Sequence, residues 1–446
     1  MMSNRTLSRR TMIAAGAGLG AAGLISGPAL GRTSASRRAP GLLRQDQVTL
    51  DVFVHANHPF DNVKPIYEDK YPNVTLNMMQ QNDVAVLRAS LAANGEGTPD
   101  IFWPEIGMVQ ELGKTEVLLD VTELVKKHES ELAEGKLAEC LIPSTGKYAA
   151  FPGDIATVGL YYRQDLLDQA GVSIPETWTW DEFIELGKQV KEATGASSLA
   201  ISSSGTDASA LQWSFILCQL GGGITNAEGT EVTFDNDLGI EALEITKRLY
   251  QANIHIDENA SEENYFAEIG AGNVAMLPHA VWYRGYGIEP NAYDEQSGLG
   301  QWRVALLPSA GEGSSLTANY GGASIASTIY TEHPEEVMNF MEMALGTMEG
   351  AEACGNWGIL PPYLPYLESD AWSSVRSEAF GEFPFNDVWT EAVNHYPGTW
   401  YKQAVFGEAM TTIGAGIIPI LEGSVGVAEG LRALGDQVRD LNSRYQ

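Results

Sequence analysis

Basic residues are scarce in this sequence. Its 446 residues hold 27 Lys and Arg against 58 Asp and Glu, a formal net charge of −31. Seven of the arginines fall in the first 44 residues, which contain no acid; the remainder carries 20 basic against 58 acidic residues, a net of −38. A chain so charged lacks the basic surface that nucleic acid or an anionic bilayer requires. Only 11 Lys remain beyond residue 44, a balance that suits either a well-solvated surface or adaptation to high salt. Cysteine is nearly missing as well. Cys140, Cys218 and Cys354 are an odd number without metal-ligand spacing, so one disulfide can form and none is required. Cys218, inside WSFILCQL, reads as a small core residue. After residue 31 no apolar run is long enough to span a membrane.

Catalytic signatures are absent too. There is no GxSxG, no P-loop, no HExxH and no CxxC. His55 and His58 are too few for a metal site without a third ligand at suitable spacing; as loop residues after a strand they suit hydrogen bonds to a ligand. Glycosidase chemistry needs two carboxylates at a set separation, and with 58 acids any pair could be nominated, so their abundance decides nothing. No cofactor and no enzyme activity is expected.

What is present describes an exported globular protein. Hydrophobic residues make up 44% and aromatics 9%, enough for a packed core, and the length allows two or three folding units of about 150 residues. The opening SNRTLSRRTMI, the uncharged AAGAGLGAAGLISGPALG and small residues at Ala29 and Gly31 form a secretory leader, with cleavage expected near 31–35. Arg9-Arg10 after Ser8 resembles the twin-arginine export signal. An uncleaved anchor is the competing reading, weakened by the glycine content. No cysteine precedes residue 45, so no lipid anchor is expected, and the location is periplasmic or extracellular.

Beyond the leader, strands alternate with helices: QVTLDVFVHAN, a helix ending at Lys70, VTLNMM, a helix over 83–94, TPDIFW and a helix over 105–112. That order implies an α/β domain with a largely parallel sheet. A second region begins at KYAAFPGD and contains VGLYY, a helix from Trp180 to Thr194, another over 237–252, and strands at 273–277, 302–308 and 322–327. The last hundred residues read as mostly helical, over 403–415 and 425–442.

Ten Trp residues are generous, and several stand in polar or turn contexts: Trp103 after PDIF, Trp282 after PHAV, Trp357 in GNWG and Trp400 in PGTWY. Trp178, Trp180 and Trp389 read as structural. A sugar ring offers an apolar C–H face for stacking and hydroxyl edges for hydrogen bonds. The clusters His55, Asn57 and His58; Asn82 and Asp83; Trp103 and Glu105; and Asp154 have that composition.

The segment KYAAFPGDIATVGLYYRQDLLDQAGVSIPETWTWDEFIELGKQV (147–190) resembles the signature region of family 1 extracellular solute-binding proteins, the sugar-binding components of ABC importers. The matching features are Phe151-Pro152, Leu160-Tyr161-Tyr162, Asp165-Leu166, Ala170-Gly171 and Pro175 through Glu182; Arg163 departs from the usual Asn or Asp. VTLDVFVHAN, YEDKYPNVTLN, TPDIFW, FAEIGAGNVAMLPHAVW, WRVALLPSAGEG and GGASIASTIYTEHPEEVMNFMEMAL follow in the family's order. The resemblance implies a two-lobed, type II periplasmic-binding-protein fold of α/β class, hinged through about three crossovers with the ligand cleft between lobes. Those crossovers are expected near 151–155, 305–309 and 345–355, with 46–153 plus 308–350 in one lobe and 154–307 plus 351–446 in the other. It implies a monomer that captures a sugar or oligosaccharide and delivers it to membrane permease subunits. By resemblance Trp103, Trp282, Trp400 and Tyr401 match stacking positions, Trp213 lies in another cleft segment, and Asp154 sits on a crossover. Tyr320 and Gly322 complete the candidate set. An organic cation, such as a polyamine or quaternary amine, is the second ligand class, since an acidic cleft with Trp suits it. A secreted hydrolase is the third reading. An anion is disfavoured, because only nine Arg follow the leader.

Overall fold

In VTLDVFV, Val48–Val54, alternate residues Leu50, Val52 and Val54 are buried, as period-2 patterning demands of a strand with one covered face. The computed structural model describes residues 47–445 apart from 56–57, 81–83, 258–261 and 397–399. The leader and the expected contacts Asn57, Asn82 and Asp83 lie outside the described residues. Val48–Val54 pairs in parallel with Val74–Gln80 on one edge and Ile101–Phe102 on the other. Helix Phe60–Lys70 packs on this sheet through Phe60, Val63 and Tyr67. Phe60 meets Trp103 and Phe340 edge-on at 4.9 and 5.2 Å, which ties helix Pro334–Leu345 to the same core.

The second sheet is antiparallel. Its central strand Val158–Arg163 lies between Trp302–Ala305 and Met276–Ala280 and is buried almost throughout, which explains its continuous apolar run. Gly159 admits the Trp389 ring: a Cβ there would stand 2.8 Å from it, so glycine seats helix Phe385–Asn394 on the strand. The strand expected at 273–277 runs instead to Ala280. It tolerates Pro278 because it is an edge strand, where a missing N–H costs least. GASIAS forms isolated bridges at Ala323, Ile325 and Ala326, following the left-handed Gly321 and Gly322. Arg163 holds Asp165 at 2.7 Å and the Gln296 carbonyl at 3.0 Å, so it fixes the entry to helix Gln164–Ala170.

Two chain segments pass between the sheets side by side. Phe151 bridges Ile325, the Asp154 N–H donates to the Ala323 carbonyl, the Tyr320 N–H donates to Ala156, and Thr157 bridges Asn319. A third segment joins where the Ile155 N–H donates to the Leu360 carbonyl at 2.9 Å. The passages therefore fall at 151–158, 318–326 and about 357–360. The last two lie later in the chain than 305–309 and 345–355. Leu307 and Ser309 bond back to Leu316 and Trp178, while helix Met348–Trp357 stays packed on Phe60–Lys70.

All three cysteines are buried and unpaired. Burial pushes the Cys140 thiol up to about 11 and that of Cys218 to about 12, so neither supplies a thiolate near neutrality.

Candidate functional site

Between the two sheet systems runs the segment 400–406. Lys402 donates to the Gly321 carbonyl on the second passage, and Gln403 Nε2 donates to the Ala227 carbonyl at 2.6 Å. The Gln403 carbonyl also lies 3.7 Å from where a Cβ on Gly107 would stand, so the segment touches helix Ile106–Gly113. This segment separates two cavities. One, about 560 Å³, is walled by Gln110, Lys136, Glu139, Tyr396, Trp400 and Lys402. The other, about 590 Å³, is walled by His55, Arg88, Glu105, Glu111 and Glu408 among others.

The first cavity encloses a network of charges. Lys136, 1% exposed, reaches Glu139 Oε2 at 2.8 Å; the other oxygen of Glu139 accepts from the Tyr396 hydroxyl at 3.0 Å and Asn319 Nδ2 at 3.2 Å. Burial opposes ionisation of Glu139, yet Lys136 and Lys402 beside it hold its carboxyl below the usual carboxylate range. Asp154 responds the other way. Burial pushes it up to about 7 against the pull of Lys136 and the Leu360 N–H, which reaches its Oδ1 at 3.3 Å. Burial also lowers Lys402, with Glu139 opposing.

Next to the passage is an aromatic group. Trp282 donates its indole N–H to the Tyr320 carbonyl at 2.9 Å and meets His279 edge-on at 5.0 Å, while His279 stacks on Tyr283 at 3.7 Å. Burial pushes His279 down to about 3, so its imidazole is neutral. Its Nδ1 accepts from the Ala280 N–H at 2.9 Å, which leaves the proton on Nε2. A cavity of about 70 Å³ opens beside His279, Tyr320, Gln212 and Phe215.

The expected contacts divide accordingly. Trp400 and Tyr401 line the first cavity; His55 and Glu105 line the second. Asp154, Trp282, Tyr320 and Gly322 gather at the passage, where Gly322 adopts φ +92° and leaves room for Lys136 Nζ. Three others lie away from these groups, and Trp103 packs on Gly153 of the first passage. His58 is buried and its Nδ1 accepts from the Phe60 N–H at 3.1 Å, serving the start of a helix. Trp103 is buried against Phe60, and Trp213 is fully buried with its indole N–H on the Gly239 carbonyl at 3.1 Å. Trp357 ends helix Met348–Trp357 half-buried and lines neither large cavity. Sequence reasoning missed Gln110, Lys136, Glu139, Asn319, Tyr396 and Lys402. One signal was available: Lys402 follows Trp-Tyr in a chain where lysine is rare. Among the described residues no group of three His, Cys, Asp or Glu is placed to hold a metal ion, and no helix is long and apolar enough to cross a membrane.

Residues 48–351, more than half the chain, match the family described as bacterial extracellular solute-binding protein. The chain belongs to that family. Relatives of this solute-binding protein include an arabinooligosaccharide-binding protein of Bacillus subtilis, 27% identical over 294 residues that make up 65% of this chain and 64% of the relative. The arabinooligosaccharide-binding protein of Halalkalibacterium halodurans is 27% identical over 81% of this chain and 80% of its own length. In fold, the solute-binding protein is similar to the ABC transporter-associated binding protein of B. animalis subsp. lactis in complex with β-1,6-galactobiose. The TM-score is 0.76 at 21% identity, over 90% of this chain and 98% of that one. The galacto-N-biose/lacto-N-biose I-binding protein of Bifidobacterium longum, in complex with lacto-N-biose, gives 0.72 at 18% identity over 90% and 98%. The solute-binding protein thus has the two-lobed type II fold, its sheets the cores of the two lobes. The family is one of extracytoplasmic binding proteins.

Proposed function

We propose that this solute-binding protein captures a sugar or oligosaccharide between its lobes and presents it to the permease subunits of an ABC importer, making and breaking no bond. The observation that carries this reading is the cavity of about 560 Å³ at the lobe interface, with Trp400 and Tyr401 on its wall beside buried polar groups. Its volume falls in the range of about 300–1,000 Å³ usual for small-molecule sites. An aromatic face with amide and charged groups at its edge suits a ring that is apolar on its faces and hydroxylated at its rim. The names of the relatives, arabinooligosaccharide- and lactose-binding proteins, support the same class. Asp154, Trp282, Tyr320, Gly322, Trp400 and Tyr401 form the proposed contact set, with His55 and Glu105 across the 400–406 segment; Asn57, Asn82 and Asp83, outside the described residues, stay in it on the sequence alone. Trp103, packed on Gly153 beside Asp154, stays in it, and His58, Trp213 and Trp357 are proposed as structural. An organic cation fits less well, because Lys136 and Lys402 bring ammonium groups to the cavity.

For residues 1–35 we propose a cleaved twin-arginine leader and no lipid anchor, with the mature protein a monomer. Converting Arg9 and Arg10 together to Lys should hold the precursor inside the cell. The binding reading is tested by thermal shift of the exported protein against mono- and oligosaccharides, with polyamines and betaines alongside, at low and high salt. A ligand at a hundred times its Kd stabilises by about 2.7 kcal/mol. A salt-insensitive shift with one sugar group is the expected result; a shift with cations alone, lost in salt, would replace the reading.

A further inference from the structure

The cavity beside Trp400 holds a cation with no direct ion pair among the described residues. Lys136 is matched by Glu139 at 2.8 Å. Lys402, 4% exposed, is not: among the described residues no carboxylate oxygen lies within 4.0 Å of its Nζ, and its hydrogen bond goes to the neutral Gly321 carbonyl. Burying an ammonium on a carbonyl alone is costly, and it occurs here in a protein whose net charge is strongly negative.

Three more groups on the same wall are buried without partners: Trp400 Nε1, Gln110 Oε1 and Gln403 Oε1. Their residues are 4%, 3% and 6% exposed, so water does not serve them freely. The indole N–H is a donor and joins Lys402 in suiting an anionic oxygen. The two amide oxygens are acceptors and suit hydroxyl groups. A neutral sugar pairs with the acceptors and leaves Lys402 without a direct ion pair. A simple inorganic anion does the reverse. A sugar acid meets both demands.

We propose that this cavity takes an acidic sugar, a uronate or an oligosaccharide bearing one, with its carboxylate on Lys402 and Trp400 Nε1 and its hydroxyls on Gln110 and Gln403. The proposal rests on the carbohydrate reading above and narrows it. Scarce arginine argued against an anion, but the positive charge here comes from lysine. Glu139 and Glu105 act on this charge from a distance, without contact. Both oxygens of Glu139 are committed to Lys136, Tyr396 and Asn319. Glu134, the other carboxylate on the wall, is exposed, where water and salt screen it. Asp154 is pushed up to about 7 and adds little negative charge below neutrality.

Calorimetric titration of the exported protein at pH 6 tests this with matched pairs: α-1,4-digalacturonate against α-1,4-galactobiose, and cellobiouronate against cellobiose. A charge-assisted hydrogen bond predicts that the acidic member of at least one pair binds about ten-fold tighter or better. In Lys402→Gln that preference should fall to near unity, while Lys126→Gln, which removes an exposed lysine outside the cavity, should retain it. The wild-type comparison stands whether or not the Lys402 variant folds. A neutral member binding as tightly as its acid, or no uronate binding at all, overturns the proposal. Neutral sugars binding without preference leaves the carbohydrate reading in place; silence from every sugar in the wider screen removes both.

Discussion

Replacing Asp154 by Asn should stabilise this protein above neutral pH and do almost nothing at pH 4. Asp154 is 4% exposed at the first passage between lobes, with the Leu360 N–H on Oδ1 at 3.3 Å. Burial carries its pKa from 3.8 up to about 7, Lys136 and Lys402 pulling only partly against it. Between those two values the folded protein holds a proton that the unfolded chain has released. Stability therefore falls as pH rises from about 4 to about 7 and levels off beyond, where the folded protein carries a buried, ionised carboxylate. At 1.36 kcal/mol per unit, that loss amounts to about 4 kcal/mol at most. Asn keeps an acceptor for the Leu360 N–H and has no proton to lose. The stability of Asp154→Asn minus that of the wild type should be near zero at pH 4 and reach up to about 4 kcal/mol by pH 8. Urea unfolding of both proteins at four or five pH values measures this, and the subtraction cancels distant titrations. Groups that feel the Asp154 charge, among them Tyr161, Cys354 and Tyr396, respond to the change as well. Parallel stability curves, or a variant weaker than wild type at pH 8, would show that the carboxyl is not held neutral by burial.

Two further outcomes separate core from site. Trp213→Ala should cost about 3–5 kcal/mol in urea unfolding, since the ring is wholly buried and its N–H is bonded to Gly239, yet the folded variant should keep its ligand affinity. A large loss of affinity at unchanged stability would return Trp213 to the cleft. Tyr396→Phe removes one of three donors to the Glu139 carboxylate and should lower stability by about 1–3 kcal/mol, read by denaturant titration. A neutral effect would mean that Lys136 and Asn319 alone satisfy that carboxylate.

Much of the fold was legible because local patterns matched tertiary burial. The period-2 alternation of Val48–Val54 and the helical spacing of Trp180–Thr194, with its Thr179–Glu182 capping box, each carry their own signal. The site was legible only in part. The turn context of Trp400 and the family resemblance of Trp400 and Tyr401 marked candidates that line a cavity, but a Trp that stacks on ligand and one that packs in a core have the same local sequence. Trp213 packs in the core because Phe234 meets its ring, and Trp103 meets Phe60 on one side and Gly153 on another, contacts set by distant segments.

The sequence by itself determined the element order, the family and an exported, acidic character, since all of these reside in neighbouring residues or in composition. Tertiary structure alone decided which charges share a cavity. Lys136, Asp154 and Lys402 are separated along the chain by residues that belong to different lobes, and no local pattern marks them as partners. They meet because the passages at 151–158 and 318–326 run side by side and the 400–406 strap crosses beside them. Burial at that crossing then sets their charge states: Asp154 is pushed toward neutrality, Glu139 stays ionised beside Lys136 and Lys402, and Lys402 is left without a direct ion pair among the described residues.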